Sequence, residues 1–326
     1  MLWPVVLFLA GFVLLIKGGD WFVDGSVGVA RRFHLPEMLI GATIVSIGTT
    51  LPEVMVSSQA ALEHNAGISY GNAIGSIICN TSLIAAITMA VRPGKVNTKT
   101  LRLPAVFFFI AAASYAVTAW TAGGFRRFLG IAYLLLFAGY MVWSVLHMKK
   151  HPEAAEEGGE AEEEDSGRPK PFWQEILLLV IGAAAIAFGA RLLVDNGTLI
   201  AEALGVPDSV IGLTMVALGT SLPELITAIT SLIKGHGALS LGNVIGANLF
   251  NIVLVSGAAI TISPFDVPAE KLIGGINSSL VIDLPLMLFV MAALCVPPMI
   301  CGKTKRWQGI LLLGIYAAFT VYQFVS

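Results

Sequence analysis

Ten separate apolar runs, each long enough to cross a lipid bilayer, constrain this chain more than any other feature of its sequence. A transmembrane helix needs about 20 predominantly apolar residues. The runs predict helices near residues 3–29, 38–61, 71–90, 103–120, 129–147, 173–200, 210–232, 241–261, 277–297 and 307–324. A chain that is 56% hydrophobic and only 12% charged could not cover a water-soluble surface with polar groups. We therefore expect an all-α polytopic membrane protein.

An internal repeat divides these helices into two sets of five. Shifting the chain by 171 residues lays residues 41–84 on residues 212–255 without a gap, and 15 of the 44 positions are identical. Because five is an odd number, the second set must enter the membrane from the opposite side. Such inverted-topology repeats are typical of secondary transporters, whose sites lie near the bilayer midplane where the repeats meet. We predict a first five-helix repeat over 1–150, a linker over 151–170 and a second repeat over 171–326.

The distribution of Lys and Arg predicts the orientation. With the N-terminus outside, fourteen of these residues lie in inner loops and four in outer loops, and cytoplasmic loops carry the excess of positive charge. Both termini are then outside and the linker, residues 151–170, is cytoplasmic. The linker is rich in Glu, Ala and Gly, which favours a solvated, disordered segment over a loop that concentrates cations or regulates.

Composition also limits the partners. The net charge of -2 and the confinement of bases to short loops imply no nucleic-acid partner, and no protein partner is evident beside membrane lipid. The three cysteines lie in or beside apolar runs without the spacing of a metal site. We expect no cofactor.

Each repeat carries a carboxylate inside an apolar run. The phrase Gly-Thr-Thr-Leu-Pro-Glu ends at Glu53, and the phrase Gly-Thr-Ser-Leu-Pro-Glu ends at Glu224. A carboxylate near mid-bilayer costs at least a few kcal/mol unless it is paired or solvated, so it indicates a functional site. The proline in each phrase lacks an N–H, which predicts a kink that frees backbone carbonyls near residues 46–49 and 217–220.

A second phrase in each repeat combines small residues with amides. Glycines recur every fourth residue, at Gly71 and Gly75, then at Gly242 and Gly246, and predict close helix packing. Four asparagines occupy repeat-equivalent places: Asn72, Asn80, Asn243 and Asn251. We interpret Asn80 and Asn251 as cation ligands. For the other two, coordination and interhelical hydrogen bonding remain equally good interpretations.

The charges and oxygens together favour Ca²⁺ or Na⁺. Two carboxylates would neutralise one Ca²⁺ or two Na⁺, and the hydroxyls of Thr49, Thr50, Thr220 and Ser221 add neutral oxygen ligands. Ca²⁺ takes about six to eight oxygens, whereas Mg²⁺ demands a stricter octahedron. The five histidines lie at helix ends or in loops, so nothing resembles a zinc site.

At these phrases the chain resembles the sodium/calcium exchangers of the calcium/cation antiporter superfamily, most nearly the short prokaryotic members. The resemblance implies a prokaryotic cytoplasmic (inner) membrane and electrogenic, alternating-access exchange of Na⁺ for Ca²⁺ that normally extrudes Ca²⁺. It places Ca²⁺ on Glu53 and Glu224 with backbone oxygen of Thr49 and Thr220. The Na⁺ ligands that it implies are these carboxylates, the carbonyls of Ser46 and Ala217, and the side chains of Thr50, Ser221, Ser76 and Asn80.

Three further features bear on this resemblance. Ala247 stands where the family pattern often has Ser, and the neutral Asn251 argues against K⁺ co-transport. The long first and sixth helices resemble a pair that slides across the core. Asp24 and Asp195, at equivalent places in that pair, either guard the entrances or are solvated helix ends.

Three other functions remain open at the sequence level. A Ca²⁺/H⁺ antiporter would exploit the protons that two close carboxylates can share. An intramembrane enzyme would use them as acid and base, but no nucleophile or substrate motif accompanies them, so we expect no enzyme. A membrane scaffold would show no cation-dependent stability.

Overall fold

The computed structural model describes residues 2–150, 171–204, 217–269 and 272–325, and this part of the chain contains ten helices. They are α1 (Leu2–Arg32), α2 (Glu37–Leu62), α3 (Ala66–Val91), α4 (Thr98–Ala122), α5 (Arg127–Lys150), α6 (Phe172–Ala203), α7 (217–233), α8 (Gly237–Ile262), α9 (Ser279–Cys301) and α10 (Arg306–Val325). Eight are long and apolar enough to cross a membrane, and α7 and α10 complete the ten. The predicted linker, 151–170, lies outside the described residues.

Corresponding helices of the two repeats match in length and in their irregularities. The first and last residues of α3 and α8 are each 171 positions apart. Both helices widen into a π turn at the same place, Asn80–Ala85 in α3 and Asn251–Ser256 in α8. A π turn carries one extra residue and is common at functional sites.

The first helices of the two repeats, α1 and α6, pack against each other and run in opposite directions. A Cβ at Gly11 would lie 2.8 Å from the carbonyl oxygen of Gly189, and a Cβ at Gly25 would lie 2.7 Å from that of Glu175. Contacts therefore move towards the start of α6 as they move towards the end of α1. Equivalent helices that point in opposite directions are the mark of an inverted repeat, so the predicted fold is confirmed.

The apolar core has two parts. The larger one joins α3, α4, α5, α8, α9 and α10, with α3 and α8 the most buried helices of the described chain. The smaller one joins α1 and α6 to the first half of α2. The helix pair α1 and α6 thus lies on the side of the larger core.

Short backbone pairings join the loops of the two repeats. Strand β1 (Gly124–Phe125) pairs with β2 (Phe265–Asp266), and a single bridge pairs Lys95 with Lys303. A further hairpin is formed by β3 (Leu272–Ile273) and β4 (Ile276–Asn277).

The structure departs from the prediction for one proline and agrees with the prediction for its equivalent in the other repeat. In the first repeat, the α-helix Ser46–Leu62 passes through Pro52 without a break, and the irregular turn lies earlier, at Gly41–Val45. A single missing N–H is tolerated when neighbouring turns adjust. In the second repeat, Ser221 does separate two helical segments, as expected for the turn before the proline.

The glycine pattern predicted close packing in both repeats, and the structure shows it in one. A Cβ at Gly242 would collide with the backbone of Met38, and one at Gly246 would collide with Ala42. No described atom lies within 4 Å of a Cβ placed on Gly71 or Gly75. The equivalents of the contacted residues are positions 209 and 213, which lie outside the described residues.

Candidate cation-binding site

The two carboxylates predicted from the repeats are buried where the repeats meet. Glu53 on α2 and Glu224 on α7 are both 0% exposed. The segments that carry them, Ser46–Leu62 of α2 and Leu222–Ile233 of α7, pack against each other. Residues from both repeats therefore form one polar centre. Two buried negative charges without compensation would cost several kcal/mol each.

Each π turn begins at an asparagine and packs against the glutamate-bearing helix of the other repeat. The turn that begins at Asn80 packs against α7, the helix of Glu224, and the turn that begins at Asn251 packs against α2, the helix of Glu53. Both asparagines are fully buried. Each repeat thus supplies a carboxylate on one helix and an amide on the next.

Buried oxygens accumulate here without protein partners. Among the described residues, eight of them have no hydrogen-bond partner: both carboxylate oxygens of Glu53 and Glu224, the hydroxyls of Thr50 and Ser221, and the amide oxygens of Asn80 and Asn251. Buried polar atoms are nearly always paired, so each exception requires an explanation. A bound cation would satisfy such a set, because hard cations take carboxylate, amide and hydroxyl oxygens.

The first threonine of each glutamate-containing phrase forms a hydrogen bond with a residue of the opposite repeat. Thr49 donates to the amide oxygen of Asn243 at 3.2 Å, and the equivalent Thr220 donates to that of Asn72 at 3.4 Å. In each case a hydroxyl from one repeat binds an amide of the other. This pairing fixes the helical turn that precedes each glutamate.

Asn72 also supports the carboxylate helix directly. Its amide nitrogen donates to the backbone oxygen of Glu53 at 3.1 Å and to the hydroxyl of Ser57 at 2.8 Å. The amide nitrogen of Asn243 has no partner among the described residues. Part of the difference is in the sequence, since the position equivalent to Ser57 is Ala228, which has no hydroxyl.

The other predicted site residues are placed as follows. The hydroxyl of Ser46 donates to the backbone oxygen of Gly41 at 2.7 Å, and it also lies 3.0 Å from the backbone oxygen and 3.3 Å from the amide oxygen of Asn243. The backbone oxygen of Ser46 lies 3.5 Å from the hydroxyl of Thr49. Ser76 is buried on α3, one turn before Asn80. Ala217 begins α7, and only its backbone is described.

Comparison with known proteins identifies the family. A family model described as sodium/calcium exchanger protein matches residues 3–146 and again residues 175–325, once in each repeat. The chain belongs to the sodium/calcium exchanger family. This is a family of transporters and not of enzymes. A second model, described only as a domain of unknown function, matches residues 84–220.

Relatives of the exchanger align along nearly the whole chain. The sodium/calcium exchanger MaX1 of Methanosarcina acetivorans is 32% identical over 350 residues, which cover 98% of each chain. An uncharacterised membrane protein of Methanocaldococcus jannaschii is 37% identical over 313 residues, which cover 95% of this chain and 94% of the relative.

A solved structure supports the same fold. The sodium-calcium exchanger NCX_Mj, soaked with Na⁺ and Ca²⁺, superposes with a TM-score of 0.79 at 34% identity, covering 98% of this chain and 97% of the other. The same exchanger soaked with Na⁺ and Sr²⁺ gives a TM-score of 0.78 at 33% identity, covering 99% and 98%. The exchanger described here is therefore an integral membrane protein of ten helices in two inverted repeats.

Sequence reasoning missed part of the exchanger's site. It left the role of Asn72 and Asn243 open, whereas the structure gives both a hydrogen bond to the opposite repeat. It also gave no role to Ser57, which binds Asn72. The sequence did indicate that these residues are equivalent, because Thr49 and Thr220 are 171 residues apart and so are Asn72 and Asn243. That spacing does not show which helices are neighbours.

Proposed function

We propose that this exchanger moves Na⁺ against Ca²⁺ through one site built on Glu53 and Glu224. The observation that carries the proposal is the set of eight unpaired buried oxygens, four of them carboxylate oxygens, contributed by both repeats. The printed names of MaX1 and NCX_Mj support the same pair of ions. Na⁺ and Ca²⁺ are the proposed substrates of this exchanger, and we propose no cofactor.

The mechanism follows from shared ligands. Ca²⁺ would be bound by Glu53 and Glu224 with backbone oxygen of Thr49 and Thr220. Na⁺ would use the same carboxylates, so the two ions exclude each other. Without a bound cation, the two carboxylates are negatively charged, and moving them through a closed, dry state is unfavourable. The protein therefore changes state only with a cation bound, which couples the Na⁺ flux to the Ca²⁺ flux and suppresses leak.

Further ligands are proposed from both repeats. For Na⁺ they are the carbonyls of Ser46 and Ala217, the hydroxyls of Thr50, Ser221 and Ser76, and the amides of Asn80 and Asn251. The positions of Thr50, Ser221, Asn80 and Asn251 support this role, because their oxygens are buried and unpaired.

We further propose that the exchange is electrogenic and normally extrudes Ca²⁺ from a prokaryotic cell. The protein would lie in the cytoplasmic membrane, with both termini outside and residues 151–170 inside. The excess of basic residues in the inner loops supports this orientation.

Substitution of the carboxylates tests the site. In proteoliposomes, Glu53→Gln and Glu224→Gln should each abolish Na⁺-driven Ca²⁺ uptake, because the amide removes a charge that the divalent ion needs while keeping the side chain's shape. Glu202→Gln, an exposed glutamate at the end of α6, is the matched control and should keep wild-type flux. Wild-type flux in either buried variant would place the site elsewhere.

The coupling ion is tested in the same vesicles. Tracer Ca²⁺ uptake should follow an imposed Na⁺ gradient, respond to membrane potential and ignore a pH gradient. Uptake that follows the pH gradient without Na⁺ would instead establish the Ca²⁺/H⁺ antiporter.

A further inference from the structure

An ion pair closes one end of the interface between α1 and the core. Lys234 caps the end of α7, and its ammonium lies 2.7 Å from a carboxylate oxygen of Asp24 and 3.5 Å from one of Asp20 on α1. It also donates to the backbone oxygen of Asp20 at 3.1 Å. These contacts, here named the Lys234 latch, join the end of a helix of the site to one of the two peripheral helices.

Apolar packing accompanies the Lys234 latch in one repeat and not in the other. Leu222 and Ile226 of α7 pack against the small core that contains α1. The equivalent side chains of α2, Leu51 and Met55, are 50% and 71% exposed. Helix α1 therefore covers α7, while the matching surface of α2 is uncovered by α6.

The repeat places a second set of charges at that uncovered end. The position equivalent to Lys234 is Glu63 at the end of α2, and the position equivalent to Asp20 is Arg191 on α6. Both signs are reversed, so the two residues would attract each other as the first pair does. The equivalent of Asp24 is Asp195, which keeps its negative charge.

In the present conformation Glu63 and Arg191 do not form an ion pair with each other, and each interacts with a residue of its own helix. The carboxylate of Glu63 accepts from Gln59 at 2.6 Å, and the guanidinium of Arg191 lies 3.6 Å from the carboxylate of Asp195. Arg191 and Asp195 are highly exposed. Local contacts of this kind are weak and exchange easily for a longer-range partner.

We propose that Glu63 and Arg191 form a second latch, which closes when α6 moves over Leu51 and Met55 and the Lys234 latch opens. The argument is symmetry: when inverted repeats exchange roles, α6 takes on α2 the place that α1 now holds on α7. This inference rests on the proposed function only in requiring two alternating states.

The reversed charges explain how both states remain accessible. Each state keeps one ion pair between a peripheral helix and the end of a helix of the site, so neither state is favoured by an unpaired charge. Asp195 would remain beside Arg191 in the second latch and offset part of its charge. Two states of similar free energy are what an exchanger needs to return after each half-cycle.

Thiol labelling tests which surface is covered. With Met55→Cys introduced beside Cys301→Ser, which removes the exposed native thiol, maleimide should label the present conformation readily. Adding Lys234→Gln should lower the ratio of protein with an accessible thiol at position 55 to protein with a covered one by roughly two- to five-fold. This is the range expected for the loss of an exposed ion pair. Adding Arg191→Gln as well should restore the ratio.

A matched control separates the latch from general charge effects. Arg126 lies 4.0 Å from Asp266 in an exposed pair outside α1 and α6, so Arg126→Gln should leave the labelling of Met55→Cys unchanged. An unchanged or increased ratio in Lys234→Gln would contradict the proposal.

Cross-linking tests the second latch directly and does not depend on the transported ion. A short bifunctional thiol reagent should cross-link Glu63→Cys to Arg191→Cys, and it should also cross-link Lys234→Cys to Asp24→Cys. A molecule that is cross-linked at one of these pairs should not become cross-linked at the other. Normal Na⁺-driven Ca²⁺ flux without any Glu63–Arg191 cross-link would overturn the latch. Cross-linking in a protein that performs no such flux would overturn the proposed function and leave the latch standing.

Discussion

At the scale of single residues, the hydrogen bonds of Thr49 and Thr220 repeat across the candidate site, and the contact of Ser57 is an exception to that symmetry. Thr49 and Thr220 bind the asparagine of the opposite repeat in the same way. Ser57 adds a contact to Asn72, and Ala228 cannot offer the same contact to Asn243. The first repeat is therefore more firmly connected around its carboxylate than the second.

This asymmetry predicts unequal effects of removing the two amides. Asn72→Ala breaks hydrogen bonds to three residues, including one to the backbone of Glu53. Asn243→Ala removes the amide oxygen that accepts from Thr49 and lies 3.3 Å from the hydroxyl of Ser46. At about 1 kcal/mol for each net hydrogen bond, we expect Asn72→Ala to weaken the apparent affinity for Ca²⁺ roughly ten-fold or more, and Asn243→Ala less. Concentration dependence of Na⁺-driven uptake measures both.

A surface amide provides the control for that pair. Asn277 donates to the backbone oxygen of Val267 in an outer loop, and Asn277→Ala should leave the affinity unaltered. Equal losses in Asn72→Ala and Asn243→Ala would show that the extra contacts of Asn72 do not matter.

The exception also suggests a stabilising substitution. Ala228→Ser would place a hydroxyl where Asn243 has an amide nitrogen without a described partner, repeating the contact between Ser57 and Asn72. We expect a gain of about 1 kcal/mol in stability, seen as a higher midpoint of thermal unfolding in detergent. In an Asn243→Ala background the same serine should give no gain. A gain there would mean that the hydroxyl acts through another contact.

At the scale of helices, the crossing of α1 and α6 depends on small residues. Gly11 and Gly189 approach so closely that a Cβ on either would lie 2.8 Å from the backbone oxygen of the other. Such approaches replace the hydrophobic effect as the source of helix association in lipid. The close crossing therefore holds α1 and α6 together as a pair.

Enlarging one glycine should separate the pair. Gly189→Val should reduce exchange at least ten-fold while the protein still inserts, because the added methyl groups have no space beside α1. Flux in proteoliposomes and size-exclusion profiles measure the two properties. Gly139→Val is the control, since no described atom lies within 4 Å of a Cβ there. Unimpaired flux in Gly189→Val would show that the close crossing is dispensable.

Helices were the most predictable part of this molecule. The predicted run 173–200 corresponds to Phe172–Ala203, and 241–261 corresponds to Gly237–Ile262, because the bilayer requires long apolar runs. The π turn Asn80–Ala85 was not foreseen, since widening a helix by one residue leaves its composition unchanged. The kink at Pro52 was predicted to disturb the helix at residues 46–49, whereas the irregular turn lies at Gly41–Val45 and the α-helix continues through Pro52.

The buried polar residues of the candidate site were predictable from the sequence, but their hydrogen-bond and ion-pair partners were not. Buried carboxylates are costly enough to be recognised in any apolar run, and repetition made Glu53 and Glu224 a pair. The ion pairs of Lys234 could not be predicted, because they join α7 to α1 across more than 200 residues of sequence. No local pattern specifies contacts at that separation.

At the scale of the whole molecule, ion binding should be measurable without transport. A ligand that binds the folded state stabilises it by about 2.7 kcal/mol at one hundred times its dissociation constant. We expect Ca²⁺ to raise the midpoint of thermal unfolding of the solubilised exchanger, and Na⁺ to reduce the shift by competition. Glu224→Gln should lose the response to Ca²⁺. A cation-independent midpoint in the wild type would favour a scaffold without a transport site.

The short backbone pairings between loops join the two repeats directly to each other. The pair of Gly124 with Asp266 and the bridge of Lys95 with Lys303 each connect one repeat to the other, and neither involves α1 or α6. An antibody fragment or fluorophore bound to these loops would therefore provide a reference point outside α1 and α6. Distances measured from that reference point to α1 or α6 would report any displacement of these two helices during transport.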